Sequence, residues 1–124
     1  MRPRGFGDLE SVVMNLLWDR QSDATVRDLY TELADQRQIA YTTVMSTMDN
    51  LYRKGWLTRK LVGKAYAYSP VLTREEYSAN LMRQALQSGG NSDLVLNFFI
   101  EQMSDDESAQ LRAALRRLIE GKDS

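Results

Sequence analysis

Residues 42–55 read TTVMSTMDNLYRKG, and the order of side chains along this stretch decides the fold. Thr42 and Thr43 open it, and Ser46 and Thr47 follow one turn later. Ser and Thr are mediocre helix formers because their hydroxyls compete for backbone groups. Yet Arg53 and Lys54 suit the negative end of a helix dipole, and Gly55 is a natural stop. The spacing predicts a helix from about Tyr41 to Lys54, carrying hydroxyls where Glu, Lys or Ala would add more stability. On a wheel of about 100° per residue, Val44, Met48 and Leu51 fall within roughly 60° of one another, and Gly55 closes their stripe. The opposite face holds Thr42, Ser46, Asp49 and Arg53, with Thr43 and Asn50 beside them.

Two helices precede this one. In GDLESVVMNLLWDR, residues 7–20, Leu9, Val12, Val13, Leu16 and Leu17 recur at helical spacing. In SDATVRDLYTELADQ, residues 22–36, Thr25 is the expected N-cap and Asp28 stands three positions on, close to a capping box. Val26, Leu29, Tyr30 and Leu33 form the expected buried face of this second helix. Only a short link around RQIA separates it from the third, so the pair reads as a helix-turn-helix. Downstream, WLTRKLVGKAYAYSP changes period. Leu57–Val62 and Ala65–Tyr68 flank Gly63-Lys64 and read as a hairpin ended by Pro70.

Three more helices follow. The first starts at a T-x-x-E box, Thr73 to Glu76, and presents Tyr77, Leu81, Met82, Ala85 and Leu86. SGGNS breaks the chain. DLVLNFFIEQM is apolar on more than one side. The last helix has its own box, Ser104 to Glu107, then Leu111, Ala114, Leu115, Leu118 and Ile119. The end, EGKDS, is expected to fray. The fold class is therefore mostly α with a small β-hairpin: a winged helix-turn-helix domain over residues 1–72 and a three-helix C-terminal domain over residues 73–124.

Composition narrows the chemistry. The 124 residues carry 16 basic and 17 acidic side chains, a formal charge of −1. The halves differ: residues 1–72 hold 10 Lys/Arg against 8 Asp/Glu, and residues 73–124 hold 6 against 9. A mildly basic front and an acidic back result. With no Cys and no His, disulfides, thiolate metal sites, Cys nucleophiles and imidazole bases are all absent. No metal or cofactor is expected. No apolar run approaches about 18 residues, and MRPRGFGDLE lacks the apolar core of a signal peptide, so a cytoplasmic protein without membrane insertion is expected. The acidic pairs Glu75-Glu76 and Asp105-Asp106 stand at helix starts, where carboxylates favour the dipole, so catalysis is not expected.

Small hydroxyl and amide side chains in the first turns of a helix suit the reading of base edges in a major groove, which is about 12 Å wide and admits one helix. Thr can hydrogen-bond a base edge or touch the thymine methyl. Thr42, Thr43, Ser46 and Asn50 are the candidate base readers. Between Arg53 and Lys64 lie five basic residues and no acid. Tyr41, Arg53, Lys54, Arg59, Lys60 and Lys64 are the candidate phosphate and wing contacts, since phosphate neutralisation dominates DNA affinity. Asp49 argues against contact along the whole helix; it either accepts from a cytosine amine or points past the groove. Ala40, before the third helix, has no side-chain oxygen to cap it, and a DNA phosphate is one candidate acceptor for the free amides.

The order helix, helix, hydroxyl-faced helix, basic hairpin is that of a winged helix. The pieces GDLESVVMNLLW, TVRDLYTEL, AYTTVMSTMDNLYRKGWL, GKAYAYSP, LVLNFF and LRAALRRLI, in that order over most of residues 7–119, resemble the penicillinase-repressor family of the BlaI/MecI type. The resemblance implies a homodimeric repressor on an inverted-repeat operator in double-stranded DNA, with base-reading positions at Thr42, Thr43 and Ser46. It implies dimerisation through the C-terminal helices, here by Tyr77, Leu81, Leu94, Val95, Phe98, Phe99, Leu111, Leu115 and Leu118. Relatives tied to β-lactam resistance are inactivated when a membrane sensor's signal leads to cleavage at an Asn-Phe bond in the fifth helix. Asn97-Phe98 stands at the matching place, though Phe98 also reads simply as a packing residue of a buried stripe. Copper-responsive relatives use a C-terminal cysteine cluster; this chain has none, which excludes thiolate copper sensing.

The dimer also follows from packing. Helices four to six carry more apolar residues than three short helices can hide, and a two-fold interface would hide them. It would set two recognition helices about 34 Å apart, or a multiple of that. The competing reading is a winged helix used as a protein-interaction module, which the near-neutral charge permits.

Overall fold

The computed structural model describes residues 5–122. The first four residues, and Asp123 and Ser124 of the end expected to fray, lie outside the described residues. Gly121 and Lys122 are the last residues of a helix rather than a loose end. The elements run α1 (Asp8–Arg20), β1 (Ala24–Thr25), α2 (Val26–Ala34), α3 (Tyr41–Arg53), β2 (Leu57–Val62), β3 (Ala65–Pro70), α4 (Arg74–Ser88), α5 (Ser92–Glu101) and α6 (Asp105–Lys122). The chain forms two compact units, Met1–Ala79 and Asn80–Ser124.

In the first unit, three helices and a three-stranded antiparallel sheet of order β1-β3-β2 make a winged helix-turn-helix. β2 and β3 pair from Leu57↔Pro70 to Val62↔Ala65, and β1 adds the pairs Ala24↔Tyr68 and Thr25↔Ala67. Pro70 terminates the hairpin, as expected from sequence. It is the last residue of β3, where a missing N–H costs the ladder least. Gly63 takes φ 65 at the first central position of the two-residue turn, the backbone geometry that tight hairpins demand.

The core consists of Val13, Met14 and Leu17 from α1, Leu29 and Leu33 from α2, and Val44, Met48 and Leu51 from α3. The α3 stripe is the expected one, and each of its three side chains is fully buried. On α1 the buried arc is rotated away from the one the sequence pattern predicts. Val13 and Leu17 are buried, but Leu9, Val12 and Leu16 are half-buried, and Ser11 and Met14 take places inside. Local signals hold each helix. Thr25 Oγ1 accepts from the Asp28 amide at 3.1 Å while Asp28 Oδ2 accepts from the Thr25 amide at 3.0 Å, a complete capping box. Thr73 with Glu76 and Ser104 with Glu107 do the same for α4 and α6.

Tyr77, expected in the dimer interface, belongs to the first unit. It is 5% exposed and stacks on Phe6 at 5.3 Å, with Trp18 and Trp56 both 5.5 Å away. Four aromatic rings therefore clamp the start of α4 to the winged unit, and the division between the units falls inside α4. Burial raises the Tyr77 hydroxyl above its ordinary value of 10.0, and among the described residues that hydroxyl has no hydrogen-bond partner.

The second unit comprises the rest of α4 with α5 and α6. Asn91 caps α5 through bonds to the Asp93 and Leu94 amides at 3.0 and 3.3 Å. No residue of α5 or α6 is buried. Among the described residues, no helix is long and apolar enough to cross a membrane.

Candidate nucleic-acid interface

α3 begins without a side-chain cap. Ala40 supplies only its carbonyl, which accepts from Thr43 N at 3.1 Å and Val44 N at 3.3 Å. It ends in a Schellman motif: Trp56 N donates to Leu51 O at 2.9 Å and Gly55 N to Tyr52 O at 3.0 Å, with Gly55 at φ 88. That termination turns the chain directly into β2, so the wing starts where the helix stops.

With Val44, Thr47, Met48 and Leu51 buried, the arc left to solvent carries Tyr41, Thr42, Thr43, Ser46, Asn50 and Arg53, all exposed, with Asp49 half-buried. Thr42, Thr43, Ser46 and Asn50 therefore share one accessible surface. Thr47 is separated from them: its hydroxyl turns back to the Thr43 carbonyl at 2.8 Å, the local bond that β-branched hydroxyl residues use inside helices. Of α3's exposed large apolar residues, Tyr41 packs edge-on to Tyr30 at 5.4 Å and lies under Arg27. Tyr52 lies against Arg59. Met45, 44% exposed beside Thr42 and Ser46, is an apolar group on the same exposed face that a search for hydroxyls passes over.

The basic run is largely occupied by the protein's own carboxylates. Arg53 Nε lies 3.0 Å from Asp49 Oδ2, and its guanidinium also donates to Asn50 Oδ1. Lys54 Nζ lies 2.8 Å from Glu10 Oε2, while Glu10 Oε1 accepts from the Gly7 amide at 2.9 Å. The Lys54 bond first, then the Gly7 amide, holds the Glu10 carboxyl below its ordinary 4.5. Lys60 Nζ lies 3.1 Å from Asp23 Oδ2. Ser69, donating to Asp23 at 2.6 Å, and then Lys60 lower that carboxyl below 3.8. Arg59 reaches Asp49 Oδ1 at 3.4 Å. Only Lys64, at the wing tip, makes no ion pair among the described residues. Glu10 and Asp23 lie outside the basic run and approach it only through the fold, so a charge count along the chain misses them. The exposed pairs are individually worth little, about 0–1 kcal/mol. They still decide how many cations stand free to meet phosphate.

In the second unit, Leu94, Phe98, Phe99, Leu111, Leu115 and Leu118 are exposed, and Leu81 and Val95 are half-buried. Phe98 is 61% exposed, and the Asn97-Phe98 bond lies inside α5. A groove of about 580 Å³ in the first unit runs past Trp18, Asp23, Ser69 and Arg74. Two of its polar groups are paired within the unit, Trp18 Nε1 donating to Leu72 O at 3.0 Å and Arg74 bound to Asp19 at 2.9 Å.

The first unit is a winged helix with an exposed polar face on its third helix, a fold class shared by many helix-turn-helix regulators. Comparison with known families agrees, since residues 6–117 match the penicillinase repressor model, and the chain belongs to that family. It is 38% identical over 93% of its length, and 86% of the other's, to the transcriptional regulator BlaI of Mycobacterium tuberculosis. It is 30% identical over 85% of its length, and 88% of the other's, to the methicillin resistance regulatory protein MecI of Staphylococcus aureus. A solved structure of MepR, a transcription regulator of a Staphylococcus aureus multidrug efflux pump, aligns with 94% of this chain and 80% of its own at TM-score 0.48 and 19% identity. The family and these relatives are transcriptional regulators, not enzymes.

Proposed function

We propose that the chain is a sequence-specific repressor that binds an inverted-repeat operator as a homodimer. The observation that carries this reading is the exposed α3 surface of Thr42, Thr43, Ser46 and Asn50, set opposite a fully buried stripe and next to the wing. Those side chains read base edges, and Met45 adds an apolar contact for a thymine methyl. The uncapped first turn of α3 and Lys64 meet phosphate. Tyr41, Arg53, Lys54 and Lys60 take part as they exchange internal contacts for phosphate.

The second copy covers α5 and α6. Burying each half-exposed Leu, Phe or Ile gains on the order of 1 kcal/mol. Summed over both copies, this exceeds an association cost of about 4–15 kcal/mol. Cleavage at Asn97-Phe98, following a β-lactam or cell-envelope signal through a membrane sensor-protease, would cut α5 in two and remove part of that surface. The helical hydrogen bonds around the scissile bond mean α5 must open locally first. The alternative, a winged helix that binds protein partners without reading DNA, draws support from the pairing of most wing cations.

Salt titration separates the two readings, because DNA binding weakens steeply between about 50 and 200 mM salt and an apolar protein contact does not. The base-reading surface is tested with Thr42→Ala combined with Ser46→Ala. The double variant is expected to lose about 1–3 kcal/mol of discrimination between operator and random duplex. Unchanged discrimination in a gel-shift competition would remove α3 from the base-reading role.

A further inference from the structure

Among the described basic residues, Arg59 is the one that the fold encloses most. Its side chain is 23% exposed, against 66% for Arg53, 57% for Lys54 and 70% for Lys60. Its guanidinium carbon lies 4.0 Å from the ring centre of Tyr52 on α3 and 4.1 Å from that of Tyr66 on β3. Its Nη1 reaches Asp49 Oδ1 at 3.4 Å and the Tyr68 hydroxyl at 3.5 Å. Arg59 itself stands on β2, directly opposite Tyr68 in the register. One planar cation thus joins the recognition helix to both strands of the wing.

We propose that Arg59 is a positioning residue that sets the wing against the recognition helix, so that DNA affinity depends on its planar geometry and not on its charge. The proposal rests on the DNA-binding reading above. The guanidinium lies close to both rings and at the same time points Nη1 at Asp49 and Tyr68. A lysine ammonium keeps the charge but lacks the guanidinium's plane and its fork of donors. A wing freed from this stack can still reach the backbone, but it must be ordered when it binds, and the ordering cost weakens the complex. α3 loses its surface contacts to Arg59 at Asp49 and Tyr52 but keeps its place in the core, which Val44, Met48 and Leu51 hold.

The test uses the full-length chain and an operator selected from random duplex. Arg59→Lys and Arg59→Ala are expected to weaken binding alike, by about tenfold, with the slope of log affinity against log salt unchanged. Lys64→Ala is expected to flatten that slope by about 0.9 for each protomer. Tyr66→Phe, which keeps the ring, is expected to bind as wild type, and Tyr66→Leu to behave as Arg59→Lys. At saturating protein, hydroxyl-radical footprints of Arg59→Lys should lose protection at the outer positions covered by the wing and keep it where α3 lies. Wild-type affinity for Arg59→Lys together with a flattened slope for Arg59→Ala would overturn the proposal, since Arg59 would then be a phosphate contact. Uniform loss of protection with a lowered unfolding midpoint would also overturn it, by reducing Arg59 to a stability role. Failure of the underlying reading would look different: wild-type protein would select no duplex at all, and the proposal would fall with it.

Discussion

The two units use the same local grammar and reach opposite packing. Capping boxes start α2, α4 and α6 with nearly identical geometry. Yet α1, α2 and α3 supply every one of the largest fully buried side chains, while α5 and α6 bury no residue. α6 shows the contrast well. Leu111, Leu115, Leu118 and Ile119 fall at i, i+4, i+7 and i+8, as regular a stripe as that of α3, but they are 37–59% exposed. Helix formation is thus settled by caps and periodicity, whereas burial depends on what lies across the stripe. The winged unit finds that surface within one chain. The second unit leaves its stripes open among the described residues, and that exposure is the ground for proposing a second copy there.

The largest expected effect comes from attacking the uncovered unit. Phe98→Asp combined with Leu115→Asp places carboxylates in the proposed interface. Sedimentation velocity should show monomers, and operator affinity should fall by roughly 10²–10⁴ as the advantage of two linked half-sites disappears. The winged unit should keep its fold, seen as unchanged tryptophan emission, because Trp18 and Trp56 both pack in its aromatic clamp. A variant that stays dimeric would break the contrast between the units.

A smaller effect sharpens the other side of the comparison. The winged unit holds Tyr77 with a buried hydroxyl that has no partner among the described residues. Removing such a group relieves a desolvation cost of about 1–3 kcal/mol, partly offset by imperfect repacking. Tyr77→Phe should therefore unfold at equal or higher temperature, up to several degrees, with dimerisation unaffected. A lower midpoint would show that the hydroxyl is satisfied.

The sequence made the winged helix legible because its signals are local: the α3 wheel, the Gly55 stop, the Gly63 turn and the three capping boxes each lie within a few residues. β1 escaped because two residues carry no period, and it exists only through its pairing with β3. Tyr77 shares a helix with Leu81 and so reads as a dimer residue in the sequence, while the rings it packs against, Phe6, Trp18 and Trp56, come from distant parts of the chain. The same distance hid the neutralising partners of the wing, since Glu10 lies 44 residues from Lys54. The exposed polar face of α3 was legible down to Thr42, Thr43, Ser46 and Asn50, all of which the structure leaves open to solvent. Met45 was not, because a wheel read for hydroxyls gives an apolar flank no weight.

Two copies reading DNA through α3 and joined by their C-terminal helices must leave a symmetric imprint on the sequence they prefer. Selection of random duplex DNA by the full-length protein measures this directly. The expected product is an inverted repeat whose half-site centres lie a whole number of helical turns apart, about 34 Å or a multiple. Enrichment of a single unrepeated half-site, or of no sequence, would contradict the account.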